Sequence, residues 1–86
     1  MYWVYVLEDQ QSKSWYIGYT NNLKRRLREH RSQNGGKTTS RKSDLVCIYC
    51  EGYINKSDAQ GRERFLKSGS GRTYLKKQLR HYLGQT

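Results

Sequence analysis

The sequence has no proline, one methionine, one phenylalanine, two histidines and two cysteines. It is also poor in acids, with 7 Asp plus Glu against 17 Lys plus Arg in 86 residues, a formal net charge of +10. No apolar run approaches the roughly 18 residues that a membrane-spanning helix needs, so the sequence holds no such helix. No repeat, low-complexity tract or linker-like stretch divides it, and it reads as a single domain over residues 1–86. The opening Tyr2-Trp3-Val4-Tyr5 lacks the charged-then-apolar order of an export leader, which points to a cytoplasmic chain.

The two cysteines, Cys47 and Cys50, have the C-x-x-C spacing of some metal and redox centres. No second pair accompanies them, and neither histidine is close in sequence. The surrounding LVCIYC is apolar and reads as a buried strand, on which residues three apart point to opposite faces. Two buried thiols in a reducing compartment are the expectation.

What the chain has in abundance is positive charge and tyrosine. Lys24, Arg25, Arg26, Arg28, Arg31, Lys37, Arg41 and Lys42 crowd residues 21–44 against only Glu29 and Asp44, and further cations fill the C-terminal half. Such density suits a polyanion, and nucleic acid is the commonest one. Anionic lipid is the rival, but it usually calls for an amphipathic helix with large exposed apolar residues. A surface kept soluble by charge is the plain alternative.

Residues 2–7 and 15–20 read as strands rich in Tyr, Trp, Val and Ile, joined by a short polar hairpin loop. A turn centred on Gln10 and Gln11 sets Tyr5 opposite Tyr16, and any register shifted by an even number keeps both on one face. A helix capped by Asn21 or Asn22 runs to about Ser32, followed by a basic loop and a third strand over residues 45–51. Ser57 and Gln60 form a capping box for a second helix of about ten residues, which the glycines of SGSG end. A last helix over residues 72–83 carries Leu75, Leu79, Tyr82 and Leu83 on one side. The order ββαβαα predicts an α+β fold, a three-stranded antiparallel sheet flanked by helices.

Some polar residues sit where core residues are expected. Leu23 and Leu27 mark the inward stripe of the first helix, and Arg26 and His30 border it, four residues apart. Arg26 reads either as a snorkelling side chain or as a functional one, and His30 as a boundary histidine or a proton carrier. On the second helix Glu63 lies between the inward Ala59 and Leu66. There it needs a salt bridge, with Arg26 the obvious partner, or a hard divalent metal. Tyr2, Tyr49, Tyr53 and Tyr82 read as core-filling residues whose hydroxyls stay wet. Tyr5 and Tyr16 differ because the hairpin brings them together beside Arg26, and Gly18 clears that strand face for a close approach.

Trp3-Val4-Tyr5, Tyr16-Ile17-Gly18 and Arg26 occur in the order and spacing that resemble the GIY-YIG nuclease domain, in particular its small standalone bacterial members. The second triplet matches outright, and the first keeps its tyrosine with Trp3 and Val4 in place of Gly and Ile. YIGYTNNLKRRLREH and RERFLKSGSGRTYLKKQL extend the likeness over nearly the whole chain.

The resemblance implies hydrolysis of phosphodiester bonds in DNA, of the kind used in repair or recombination. Tyr5 would be the base or orient it, and Tyr16 would hold the water or the phosphate. Arg26 would stabilise phosphoryl charge, His30 would assist proton transfer, and Glu63 would bind one Mg²⁺ or Mn²⁺. Gly18, Lys24, Arg25, Arg41, Lys42, Arg72 and Lys76 are the candidate contacts to substrate. Position 75 is Leu where family members often carry Asn on the last helix. That departure favours a second reading, a nucleic-acid-binding module with a degenerate site. The bare domain implies structure-selective or loosely specific cutting by a monomer or weak homodimer, and charge alone does not separate DNA from RNA.

Overall fold

The computed structural model describes residues 1–36 and 44–85. Strand β1 (Tyr2–Asp9) forms a hairpin with β2 (Trp15–Thr20), helix α1 (Leu23–Gly36) follows, and β3 (Leu45–Tyr53) returns to the sheet. Helices α2 (Lys56–Lys67) and α3 (Gly69–Gln78) complete the α+β fold. The strand order is β2-β1-β3, with both pairings antiparallel. Strand β1 is central, and that is why a six-residue run from Val4 to Asp9 is buried.

Alternation along β1 divides the molecule. Val4 and Val6, fully buried, pack with Ala59 and Leu66 of α2 and Leu75 of α3. Tyr5 points to the opposite face, where its hydroxyl meets Arg26 of α1. One face therefore carries the apolar core and the other carries polar side chains under α1.

The hairpin loop is longer than a two-residue turn. Asp9 organises it, its Oδ1 accepting from the amides of Gln11 and Ser12 while its carbonyl accepts from Lys13. Lys13 closes the loop in the left-handed region, at φ 64°. The longer loop moves the register by two residues, so that Tyr5 faces Gly18 and Tyr16 faces Leu7. Both tyrosines stay on one face, but they are diagonal rather than opposite.

Several boundaries differ from the sequence reading for local reasons. Asn22 caps α1, accepting from the amide of Arg25, and the helix continues to Gly36 rather than to Ser32. Asn55, not Ser57, caps α2, accepting from the Ser57 amide. The SGSG segment begins α3 instead of merely ending α2. Ser68 closes α2 through its backbone amide and caps α3 through its side chain, which accepts from the Gly71 amide. Regular helix then ends at Gln78, five residues short of the expected Leu83.

Strand β3 carries a second correction. A bulge opposite Val6 and Leu7 leaves Ile48 unpaired, so Cys50 lies opposite Tyr5 and Cys47 opposite Leu7. The extra residue puts both thiols on the same face, where an uninterrupted strand would have separated them. As an edge strand β3 is only half covered, and Cys50 is exposed. Burial pushes the half-buried Cys47 thiol up.

The tyrosine hydroxyls expected to stay wet are largely claimed by carboxylates. Tyr49 and Tyr53 donate to Glu51, which Arg62 also holds at 3.0 Å. Burial raises the Glu51 carboxyl, but Arg62 and the two phenols outweigh it and hold it below its usual value. Burial and the Glu51 bond push the Tyr53 phenol up to about 12. Arg62 in turn stacks over the Phe65 and Tyr74 rings, tying β3 to both C-terminal helices.

Gly71 lets α2 and α3 meet. A Cβ built there would fall 1.9 Å from the Phe65 carbonyl oxygen and 2.5 Å from Leu66 Cα, both backbone atoms that cannot give way cheaply. Gly71→Ala is expected to destabilise the fold by about 3 kcal/mol, at the upper end of overpacking costs. Gly69→Ala, where nothing lies within 4 Å, should be neutral or slightly stabilising. Urea unfolding of the two variants reads the difference directly.

Candidate functional site

The side chains gathered by the fold meet at a cavity of about 420 Å³ that straddles the exposed edge of β2. Tyr5, Tyr16 and Gly18 come from the hairpin, Arg26 and His30 from α1, and Glu63 and Lys67 from α2. Local structure explains each placement. Asn22 fixes the start of α1 so that Arg26 and His30, one turn apart, look back at the hairpin. Ala59 and Leu66 bury the inner face of α2, leaving Glu63 at its margin toward β2.

Tyr5 is the best-determined element. It is only 4% exposed, and its ring lies over Gly18, directly across the hairpin. A Cβ on Gly18 would stand 2.5 Å from the Tyr5 hydroxyl and 2.8 Å from Cζ. The space that Gly18 clears is thus filled by Tyr5. The hydroxyl accepts from Arg26 Nε at 3.3 Å, and Arg26 Nη1 also pairs with Glu29 at 3.2 Å. The Tyr5 bond first, and then Glu29, raise the Arg26 guanidinium above its usual value, so it carries a permanent charge. Tyr16 differs in being 52% exposed at the cavity mouth, free to meet a ligand.

His30 stands edge-on to the Tyr5 ring, with centroids 6.2 Å apart and planes at 70°. Its Nε2 is buried and has no hydrogen-bond partner among the described residues. A buried nitrogen left without a partner costs about 1–3 kcal/mol. Burial first, and then the Arg26 charge, push His30 below its ordinary 6.5. The imidazole is therefore neutral at pH 7 and able to accept a proton.

Glu63 pairs with Lys67 through a 3.0 Å contact one helical turn away, not with Arg26. Its side chain keeps 19% exposure toward the cavity, enough for a further oxygen-seeking partner. Among the described residues no cluster of three or more His, Cys, Asp or Glu gathers in one place, so any cation here rests on one carboxylate. Mg²⁺ fits such a donor set, because it retains waters and takes phosphate oxygens to complete its shell.

The other expected substrate contacts are dispersed. Lys24 lies against a groove with Trp3 and Leu27, and Arg25 is exposed and pairs with Asn21 and Glu29. Arg72 and Lys76 line a different cavity. Arg41 and Lys42 lie outside the described residues. Leu75 is fully buried in the core, so no polar side chain stands there. Lys67 and Tyr19 join the site without having been singled out in the sequence. The i,i+4 spacing of Lys67 from Glu63 was legible there, but nothing in the YIGY run set Tyr19, which accepts from Gln60, apart.

A family model described as the GIY-YIG catalytic domain matches residues 1–83. The chain belongs to the GIY-YIG family. This is a family of nuclease domains acting on nucleic acid, and its nucleases generally depend on a divalent metal. The chain is 40% identical over 65 residues to a UPF0213 protein of Streptococcus pneumoniae, covering 76% of this chain and 65% of that one. It is 37% identical over 67 residues to a UPF0213 protein of Clostridium perfringens, covering 78% and 71% respectively. The chain thus spans about two thirds of the length of these relatives. The solution structure of a UPF0213 protein from Bacillus halodurans superposes with a TM-score of 0.54 at 31% identity, covering 87% of this chain and 82% of that one.

Two outcomes follow from this GIY-YIG geometry. Gly18→Ala should displace the Tyr5 hydroxyl and break its bond to Arg26, seen as loss of contacts between the two side chains in NMR spectra. His30 should titrate below 6.5 in an NMR pH series. Its folded form prefers the neutral imidazole, so this contribution to stability is complete above 6.5 and is lost as pH falls through the lower folded value. Replacing His30 with Gln should flatten that acid-side decline in a pH series of unfolding midpoints.

Proposed function

We propose that this chain is a metal-dependent endonuclease that hydrolyses phosphodiester bonds in DNA, structure-selective or of low sequence specificity. The observation that carries the reading is the meeting of Tyr5, Tyr16, Arg26, His30 and Glu63 at one cavity. These residues come from three separate parts of the sequence, and a basic surface alone does not require them to converge.

The roles follow from position. The scissile phosphate lies in the cavity, with the Arg26 guanidinium against its non-bridging oxygens, where negative charge grows as a water attacks. Tyr16, exposed at the mouth, orients that water or the phosphate. Tyr5 accepts from Arg26 and leaves its own hydroxyl hydrogen free to direct, so it couples the position of the cation to that of the nucleophile. Tyr5 serves as the base or orients it, and His30, neutral and edge-on to the Tyr5 ring, assists proton transfer. Glu63 would hold Mg²⁺ or Mn²⁺ after releasing Lys67, and the bound ion supplies charge to polarise the phosphate and ease departure of the leaving oxygen.

The second reading, a binding module with a degenerate site, draws on two observations. Glu63 is already tied to Lys67, and the buried Leu75 leaves no polar group at its position.

The readings separate in one experiment. Purified protein is incubated with plasmid, branched and single-stranded DNA in Mg²⁺, in Mn²⁺ and in EDTA, and binding is followed in parallel. Glu63→Ala and Arg26→Ala are each expected to lower cutting by at least about 100-fold, with Glu63→Ala retaining DNA affinity. Cutting that persists in EDTA, or a wild type that binds DNA and cuts none of it, would overturn the nuclease proposal.

A further inference from the structure

A second cavity, of about 790 Å³, lies at the hairpin-loop end of the sheet, on the face packed by α2 and α3. Its cations come from two elements. Arg72 and Lys76 stand one turn apart on the same side of α3, and Lys13 reaches in from the loop between β1 and β2. Among the described residues Arg72 and Lys76 have no carboxylate or side-chain hydrogen-bond partner, whereas the Lys13 charge acts on the nearby Glu8 carboxylate. Lys13 moreover occupies a left-handed backbone conformation that Gly or Asn would adopt more readily.

The floor is polar and aromatic. Glu8, 3% exposed, accepts from the Tyr82 hydroxyl at 2.5 Å and from Gln10 Nε2 at 2.9 Å on Oε1, and from the Trp15 indole N–H at 3.0 Å on Oε2. Burial pushes the Glu8 carboxyl up, but these bonds, together with the nearby Lys13 charge, outweigh it and hold the group below its usual value. The carboxylate is therefore charged and fully engaged. It anchors Trp15 and Tyr82 by their polar ends, and both side chains line the cavity.

Cations beside anchored aromatic side chains match one ligand chemistry, that of a nucleotide. The phosphate meets the cations and the base stacks on a ring. Position narrows the source. Trp15 and Tyr16 are neighbours on β2 and point to opposite faces, one into this cavity and the other into that of Tyr5 and Glu63. Because β2 is an edge strand, a nucleic acid strand has only to pass round that edge to occupy both. A rigid duplex does not turn so sharply, but an unpaired strand does.

We infer that the cavity formed by Lys13, Arg72, Lys76, Trp15 and Tyr82 is a second nucleotide site, which holds the unpaired strand flanking the phosphate cut in the first. The assignment rests on the nuclease reading for what the strand is doing, but not for whether the strand binds. It makes DNA with a single-stranded arm the preferred substrate class.

The test uses the Glu63→Ala protein, so that binding is read without cutting. A (dT)8 oligonucleotide, an 8-base-pair duplex and thymidine monophosphate are titrated separately against ¹⁵N-labelled protein. Signals of the Trp15 indole N–H and the Arg72 and Lys76 amides are followed. The oligonucleotide is expected to move all three at lower concentration than the duplex or the mononucleotide. Arg72→Gln with Lys76→Gln, two exposed changes, should weaken oligonucleotide binding about ten-fold and reduce the salt slope by about 1.4, as two lost single-strand phosphate contacts require.

Signals that stay still with the oligonucleotide would overturn the inference. So would equal affinity for the mononucleotide, which would make this a free-nucleotide pocket, or equal response to the duplex. Movement of the signals together with a wild type that cuts nothing would sustain the site and remove only the nuclease reading.

Discussion

The contact on which the candidate site depends is the seating of the Tyr5 ring over Gly18. It joins the register of the hairpin to the chemistry under α1. Strand β1 can be central and fully covered only if its outward tyrosine has somewhere to go, and the missing side chain across the hairpin provides that space. Once the ring is seated, its hydroxyl stands where Arg26 Nε reaches it, and the edge of His30 closes against the ring. Moving the register by one residue would turn Tyr5 into the apolar core and empty the site. A shift of two, such as the longer loop imposes, preserves the face and changes only the partner.

This explains why much of the site was legible from sequence. Faces depend on parity and helical spacing, which a sequence displays. Tyr5 and Tyr16, Arg26 and His30, and Glu63 between Ala59 and Leu66 are all placed by period two or period three-to-four. What was not legible depends on single insertions and close approaches. The bulge at Ile48 reverses the expected relation of Cys47 and Cys50, and no alternation pattern shows where an extra residue will be accommodated. Gly71 is a backbone contact between two helices, and in the sequence it is indistinguishable from Gly69, the unconstrained first residue of α3. Because Gly71 lets α3 start early and fold back, Arg72 and Lys76 line the cavity at the hairpin-loop end of the sheet rather than the one that Glu63 lines. Their distance in sequence gave no warning of that.

The charges divide in a way that total composition conceals. Arg62, Arg26 and Lys67 are committed to carboxylates, so part of the positive charge stabilises the fold or poises the site rather than attracting a partner. Exposed pairs of this kind contribute little to stability, and their value lies in orientation. Glu29 steadies the guanidinium that contacts Tyr5. Lys67 holds Glu63 at the cavity while offering it an easily displaced counter-ion. Arg62 is different, being half-buried and sandwiched between Glu51 and two aromatic rings, and it belongs to the architecture.

The state of His30 bears on the choice between a nuclease and a binder. A surface that merely attracts phosphate gains from every added positive charge, and a solvent-facing histidine would contribute part of one. Here burial and the neighbouring guanidinium oppose that charge, and among the described residues Nε2 has no partner. Both features act against affinity for an anion and carry a desolvation cost. They fit the proposed role in proton transfer better than a role in attracting phosphate. The same reasoning gives Leu75 little weight as a sign of decay. It is a fully buried member of the core beside Val4, Val6 and Leu66, and its presence there supports the packing of α3 without removing any group that lines the cavity.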